Sequence, residues 1–235
     1  MRSAPRSTRP PTRKKEIPSL ENGDHLDQKT FHERYKAMPE HVRAELIGGI
    51  VYMPSPLKPP HGRADSDVIW WLNHYRMATP GTDNVSNTTQ ILGPRSEPQP
   101  DACLFILPEH GGQVWFDDEG YLAGAPELVA EISSSTESID LHAKKSDYEK
   151  AGVQEYVVTA MRRGLVYWFV RHRGKFKELT PDADGIYRSP RFAGLWLDPA
   201  ALLRRDTKRL LQVLDEGLAS AEHAAFVEKL QRGRK

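Results

Sequence analysis

Apolar residues fall along this chain in two rhythms, and each predicts its own kind of element. Apolar runs occupy residues 102–107, bounded by Pro100 and Pro108, and residues 128–133, the second carrying Glu131 among its apolar positions. Runs of this length between breakers read as buried strands. Side chains alternate along a strand, so Asp101, Cys103 and Phe105 share one face. By the same rule Val129, Glu131 and Ser133 share a face, with Leu128, Ala130 and Ile132 opposite. A helical period follows over residues 140–151, where Leu141, Lys144, Tyr148 and Ala151 fall on one side. Asp140 suits its N-cap and Gly152 its C-terminal stop. Val68, Trp71, Leu72 and Tyr75 form a second helical stripe, within a helix over residues 62–79. In residues 165–170 both alternating sets are apolar, which predicts a central strand.

Weaker signals fill the intervals. Thr30 with Glu33 makes a capping-box pattern for a short helix to residue 37. Residues 44–53 read as a strand pair turning at Gly48-Gly49. Residues 85–92 alternate poorly and suit an edge strand or a cleft lining. Residues 107–124 form a polar insert with a small hairpin near Trp115 and Tyr121. Beyond Gly152 three or four antiparallel strands are expected. A helix from Pro199 to about residue 216 and another over 220–230 close the chain. Leu203, Leu210, Leu211 and Leu214 give an apolar face that packs on the sheet or on another subunit, which leaves a homodimer open. The alternation of strands and helices is that of a mixed α/β class. Residues 1–28 are basic and interrupted by prolines, as in a disordered leader. The expected organisation is therefore a leader (1–28), one domain (29–203) and a helical extension (204–235).

Composition changes this picture little. The net charge is +1, so no global basic field advertises nucleic acid, and any contact must come from local patches. One such string is Arg162, Arg163, Arg171, His172, Arg173, Lys175 and Lys177, around two turns. It is the best phosphate-contact surface in the sequence, or ordinary turn charge. His61, at the start of a helix, is a phosphate contact or a cap. Trp70, Trp71 and Tyr75 either stack on bases or fill the core. Cys103 is the only cysteine, which rules out an intrachain disulfide and fits a reducing, cytoplasmic compartment. No apolar run is long enough for a membrane helix, and residues 1–19 lack a signal-peptide core.

The chemistry concentrates in residues 98–156. A carboxylate inside a buried strand is costly unless it is paired or binds a cation. Glu131 therefore implies an ion pair, a strand end reaching water, or a Mg²⁺ site built from carboxylate oxygens. Lys144, on the apolar side of its helix, either snorkels or serves a catalytic role. Two acids and a lysine on adjoining elements are the minimum for Mg²⁺-dependent cleavage of a phosphodiester. Glu45, in the strand pair, is either an exposed acid or part of such a site.

The motifs Pro100-Asp101, Glu131-Ile-Ser-Ser, Asp140…Lys144…Tyr148 and Ala151-Gly-Val-Gln-Glu-Tyr156 occur in that order. With Ala44-Glu-Leu-Ile-Gly-Gly-Ile-Val-Tyr-Met-Pro-Ser-Pro and His61 upstream, they resemble the Uma-type restriction endonuclease family of the PD-(D/E)XK nuclease-like superfamily. The resemblance covers roughly residues 31–203. Two departures stand out: Gly48 where Asp is usual, and Val157 where Trp is usual. It implies a restriction-endonuclease-like mixed β-sheet flanked by helices. It also implies a Mg²⁺- or Mn²⁺-dependent DNA endonuclease. Asp101, Glu131 and the Ile132 carbonyl would be metal ligands, Lys144 would be catalytic from the following helix, and Glu45 would lie near the metal or a water. A non-cleaving nucleic-acid-binding module on the same fold is the alternative.

Overall fold

The computed structural model describes residues 17–54, 56 and 58–233. Residues 1–16 of the expected leader lie outside the described residues. Residues 17–28 are not the free tail their composition suggests. Leu20 is buried, and Gly23 and Leu26 donate backbone hydrogen bonds to Val51 and Gly49. Leu26 and Leu20 supply the apolar contact that the basic composition further upstream conceals.

Helix α1 (Gln28–Lys36) is capped by Asp27, whose carboxylate accepts from Thr30 N, rather than by Thr30. The hairpin β1 (Glu45–Ile47) and β2 (Ile50–Tyr52) turns at Gly48 and Gly49, whose φ values of 60° and 87° are left-handed. Two backbone bonds between Leu46 and Glu97 fasten this hairpin to the segment leading into the sheet. Helix α2 (Pro59–Ala78) buries the expected Val68, Trp71, Leu72 and Tyr75 against that sheet.

The sheet is built from β3 (Thr82–Ser86), β5 (Ala102–Ile106), β8 (Leu128–Ser133), β9 (Glu155–Ala160), β10 (Leu165–His172) and β11 (Lys175–Glu178). Its order is β11-β10-β9-β8-β5-β3, antiparallel throughout except for the parallel β8–β9 pair. Strand β10 is interior but next to the edge, not central. The expected single strand at residues 85–92 is two, β3 and β4 (Gln90–Ile91), broken at Asn87 with φ 52°. In the insert, β6 (Trp115–Phe116) and β7 (Leu122–Ala123) form the anticipated hairpin, which pairs with β4 in a three-stranded sheet.

Leu128, Ala130 and Ile132 meet α2, whereas Val129 packs with Cys103 and Phe105 on the other face. The parallel β8–β9 connection runs through a π-helical stretch (Ile139–Lys144) and α3 (Lys145–Ala151), which ends at Gly152 with φ 103°. Strands β12 (Tyr187–Arg188) and β13 (Trp196–Leu197) pair separately. The long C-terminal helix is broken at Arg205 (φ 58°) into α4 (Pro199–Arg204) and α5 (Thr207–Leu218); α6 (Ala221–Arg232) follows. Leu210, Leu214 and Leu230 share the α2 core, so these helices pack on the sheet domain itself.

Glu155 ties this last part to the sheet. Fully buried in β9, it accepts hydrogen bonds from Trp168 Nε1 (3.0 Å), Ser189 Oγ (2.8 Å) and Arg191 N (2.7 Å). Burial outweighs these donors and pushes its pKa from 4.5 up to about 7. A raised folded pKa means the group's stabilising contribution is complete below pH 4.5 and is lost as pH rises through about 7. Urea denaturation of wild type should therefore show stability falling between pH 5 and pH 8, by up to roughly 3 kcal/mol more than in Glu155→Gln. Parallel pH curves for the two proteins would refute this.

Candidate active site at the end of the central strand pair

The β5–β8 register decides where the two carboxylates stand. Ala102 faces Ala130 in the last pair of the antiparallel ladder, so one step beyond it Asp101 stands level with Glu131. Asp101 lies just before β5, as Pro100 allows, and its Oδ2 accepts from Ile132 N at 2.6 Å. Its Oδ1 lies 3.5 Å from His61 Nε2 on α2.

Glu131 points into the face lined by Cys103, Tyr148 and Tyr156, and is 4% exposed. Its Oε1 accepts from Lys144 Nζ at 3.0 Å and Tyr148 OH at 2.7 Å. Lys144 is equally buried, and its Nζ lies 2.9 Å from Glu45 Oε1. That same Glu45 oxygen accepts from Gln99 N at 2.7 Å. The β1–β2 hairpin therefore delivers Glu45 onto Lys144. Gly48 N donates to Asp147 Oδ2 at 3.1 Å and clamps the hairpin tip to α3. Asp101, Glu131, Lys144 and Glu45 thus meet at one end of the sheet.

Asp140 is not the cap that local sequence suggests. It lies inside the π-helical stretch, and its Oδ2 accepts from Ser133 Oγ (2.7 Å) and Thr136 Oγ1 (2.6 Å). Tyr156 OH donates to its backbone carbonyl at 3.0 Å. These bonds hold the wide turn that precedes Lys144. The Ser-Ser-Ser-Thr run before Asp140 was the available signal for it. For Tyr148 the signal was its position four residues after Lys144.

The electrostatics follow from burial. Burial pushes the Glu131 carboxyl well above the usual range, and Asp101, Asp140 and Glu45 push the same way, while the Lys144 ammonium opposes. Burial disfavours the Lys144 ammonium, but Glu131, Glu45 and Asp140 outweigh it, so Lys144 holds its proton. Two donors converge on Glu131 Oε1, which makes that oxygen an acceptor and the pair an ammonium with a carboxylate. The contact with Asp101 raises the His61 pKa against an opposing burial effect. Asp65, one turn along α2, is raised to about 6 by burial and by Asp101.

The basic string does not form one surface. Arg162 and Arg163 lie on the β9–β10 turn, beside the loop that follows β8, where Arg163 pairs with Glu137 at 3.0 Å. Arg171 and Arg173 lie at the other end of β10, roughly 20 Å away by strand rise. Arg171 Nε donates to the Glu149 carbonyl there. Only the first pair shares the end of the sheet that carries Asp101 and Glu131. His61 is 8% exposed and turns inward toward Asp101 rather than out to a ligand's backbone.

The profile of the Uma2 family, described as "Putative restriction endonuclease", matches residues 30–200. The chain belongs to the Uma2 family. That membership carries nuclease-like function as its coarse description. Among solved structures it is similar to a putative nuclease belonging to DUF820 from Anabaena variabilis, at 19% identity and a TM-score of 0.55. The match covers 73% of this chain and 97% of that one, and it shows a shared fold. No curated protein matches. No described helix is long and apolar enough to cross a membrane.

Removing Lys144 would leave two buried carboxylates without a counter-charge. Lys144→Met should lose about 3–5 kcal/mol in urea denaturation, and Tyr148→Phe about 1–2 kcal/mol. Adding Glu131→Gln to Lys144→Met should recover part of the loss. A double variant no more stable than Lys144→Met would show that the buried charge is not what the lysine offsets.

Proposed function

We propose that this Uma2 protein is a divalent-cation-dependent DNA endonuclease, with Asp101, Glu131 and Lys144 at its centre. The observation that carries the reading is the convergence of two strand carboxylates with a buried, protonated lysine from the next helix. The donor chemistry fits a hard cation. Asp101, Glu131 and the Ile132 carbonyl are all oxygen donors, as Mg²⁺ and Mn²⁺ require. Among the described residues no three His, Cys, Asp or Glu side chains already form a metal-binding group. The fit is therefore to two carboxylates with a backbone oxygen. When bound, the cation would act as a Lewis acid on a phosphoryl oxygen and make water more acidic.

The protein's own groups would do the remaining work. The Ile132 N–H fixes one Asp101 oxygen and so leaves the other directed into the site. Lys144, anchored by Glu45 and Glu131, supplies an ammonium where negative charge builds on the phosphate. Tyr148 holds Glu131 in one orientation. Arg162, at the same end of the sheet, supports contact with the nucleic-acid backbone. One feature favours the non-cleaving module instead: Lys144 is held by two carboxylates, as in a closed structural cluster.

Nicking of supercoiled plasmid distinguishes the two. Wild type with Mg²⁺ or Mn²⁺ should convert supercoiled to open-circular DNA, and chelator should stop it. Asp101→Asn and Glu131→Gln should lose at least about a hundredfold in rate while still binding DNA. DNA binding without cleavage in wild type would establish the module. Arg162→Ala should reduce the slope of log affinity against log salt by about 1; an unchanged slope would remove Arg162 from the interface.

A further inference from the structure

His61 is a buried imidazole whose Nε2 has no hydrogen-bond partner among the described residues. That nitrogen lies 3.5 Å from Asp101 Oδ1. The separation is long for a hydrogen bond between a ring nitrogen and a carboxylate. It is the separation expected of two neighbouring ligands of one ion. Metal–nitrogen and metal–oxygen bonds of about 2.1 Å, at interbond angles of about 90–110°, place the two donor atoms roughly 3–3.5 Å apart.

The charge around the ring points the same way. His61 is surrounded by Asp101, Asp65 and Asp140, all acidic. Asp65, four residues on and hence on the same face of α2, also has a buried oxygen, Oδ1, without a partner. Lys144 is engaged with Glu131 and Glu45, and Arg43, the cation that acts on Asp65, donates to Asn87 Oδ1 at 3.3 Å. An acidic, partly dry recess with an unpartnered nitrogen calls for a positive occupant.

We propose that His61 is a ligand of the cation held at Asp101, and that its nitrogen makes the site select a divalent transition-metal ion over Mg²⁺. The inference rests on the reading of Asp101 as a cation ligand. It adds what that reading lacks, a reason for one ion over another. Imidazole suits Zn²⁺, Fe²⁺ and Ni²⁺ best, and Mn²⁺, at the low end of that transition-metal series, accepts it alongside oxygen ligands, whereas Mg²⁺ keeps to carboxylate, carbonyl and water oxygens. Asp65 lies beside the ring and adds negative charge to the recess.

The test is binding of Mn²⁺ and Mg²⁺ to the full chain without nucleic acid, by calorimetry and by pulsed electron paramagnetic resonance of bound Mn²⁺. Wild type should bind Mn²⁺ at least tenfold more tightly than Mg²⁺, and the bound Mn²⁺ should show hyperfine coupling to a ligand ¹⁴N. His61→Gln should lose the coupling and at least about tenfold in Mn²⁺ affinity, with Mg²⁺ affinity little changed. Asp101→Asn should weaken both ions. Mn²⁺ bound in an Asp101-dependent way without ¹⁴N coupling would overturn the role of His61 and leave the carboxylate site standing. Coupling that survives His61→Gln would overturn it equally. Affinities unaffected by Asp101→Asn would remove the carboxylate site and this inference together. A wild-type spectrum without ¹⁴N coupling overturns the role of His61 even if the histidine variant fails to fold.

Discussion

A buried ammonium sets the terms on which this end of the molecule is built. Lys144 can stay charged out of water only if carboxylates reach it, and Glu131 can stay buried only if a cation does. Each condition recruits a different part of the chain. The β5–β8 register sets Asp101 opposite Glu131. The π-helical stretch and α3 carry Lys144 and Tyr148 to the same oxygen of Glu131. The β1–β2 hairpin brings Glu45 from almost a hundred residues upstream, its tip clamped to α3 through Gly48 and Asp147. The sheet, the crossover and the hairpin thus answer to one electrostatic demand.

The same economy of buried acids recurs where irregular chain meets the sheet. Glu127 accepts from Ile106 N and Gln113 N and pins the insert after β5. Glu97 accepts from Gln28 and His32 and holds α1. Glu155 gathers the segment around Ser189 and Arg191. In each case a carboxylate inside the protein serves donors that a loop would otherwise leave without a partner. What separates the Asp101–Glu131 cluster from these three is a buried lysine shared by two carboxylates, Glu131 and Glu45.

Much of this was legible in the sequence because local rules and tertiary structure agree. The apolar run at residues 128–133 is β8 from end to end, and the faces assigned by alternation are the faces observed. Helical spacing put Lys144 and Tyr148 on the packed side, and the π-helical turn that ends at Lys144 did not disturb it, since residues 145–148 that link the two are regular helix. The failures have physical causes. Asp140 looked like a cap because Ser133 and Thr136, which satisfy it, become its neighbours only after β8 and the turn have formed. The basic string looked like one patch because linear proximity hides the length of β10. Residues 17–28 looked free because their apolar contacts lie across the β1–β2 hairpin. The breaks at Asn87 and Arg205 rest on single left-handed residues, for which asparagine offers a weak signal and arginine none.

The hairpin that supplies Glu45 also governs when the site can exist. Gly48 and Asp147, which fasten it, are 99 positions apart in sequence. Closing so wide a loop is an entropic toll that a chain meets late, after its local elements are made. During synthesis the hairpin emerges from the ribosome long before the segment that receives it. A nascent or truncated polypeptide ending before that segment holds an acid with no lysine to meet. The complete cluster is therefore a property of the finished fold, and any hydrolytic power it carries is withheld until the chain has closed upon itself.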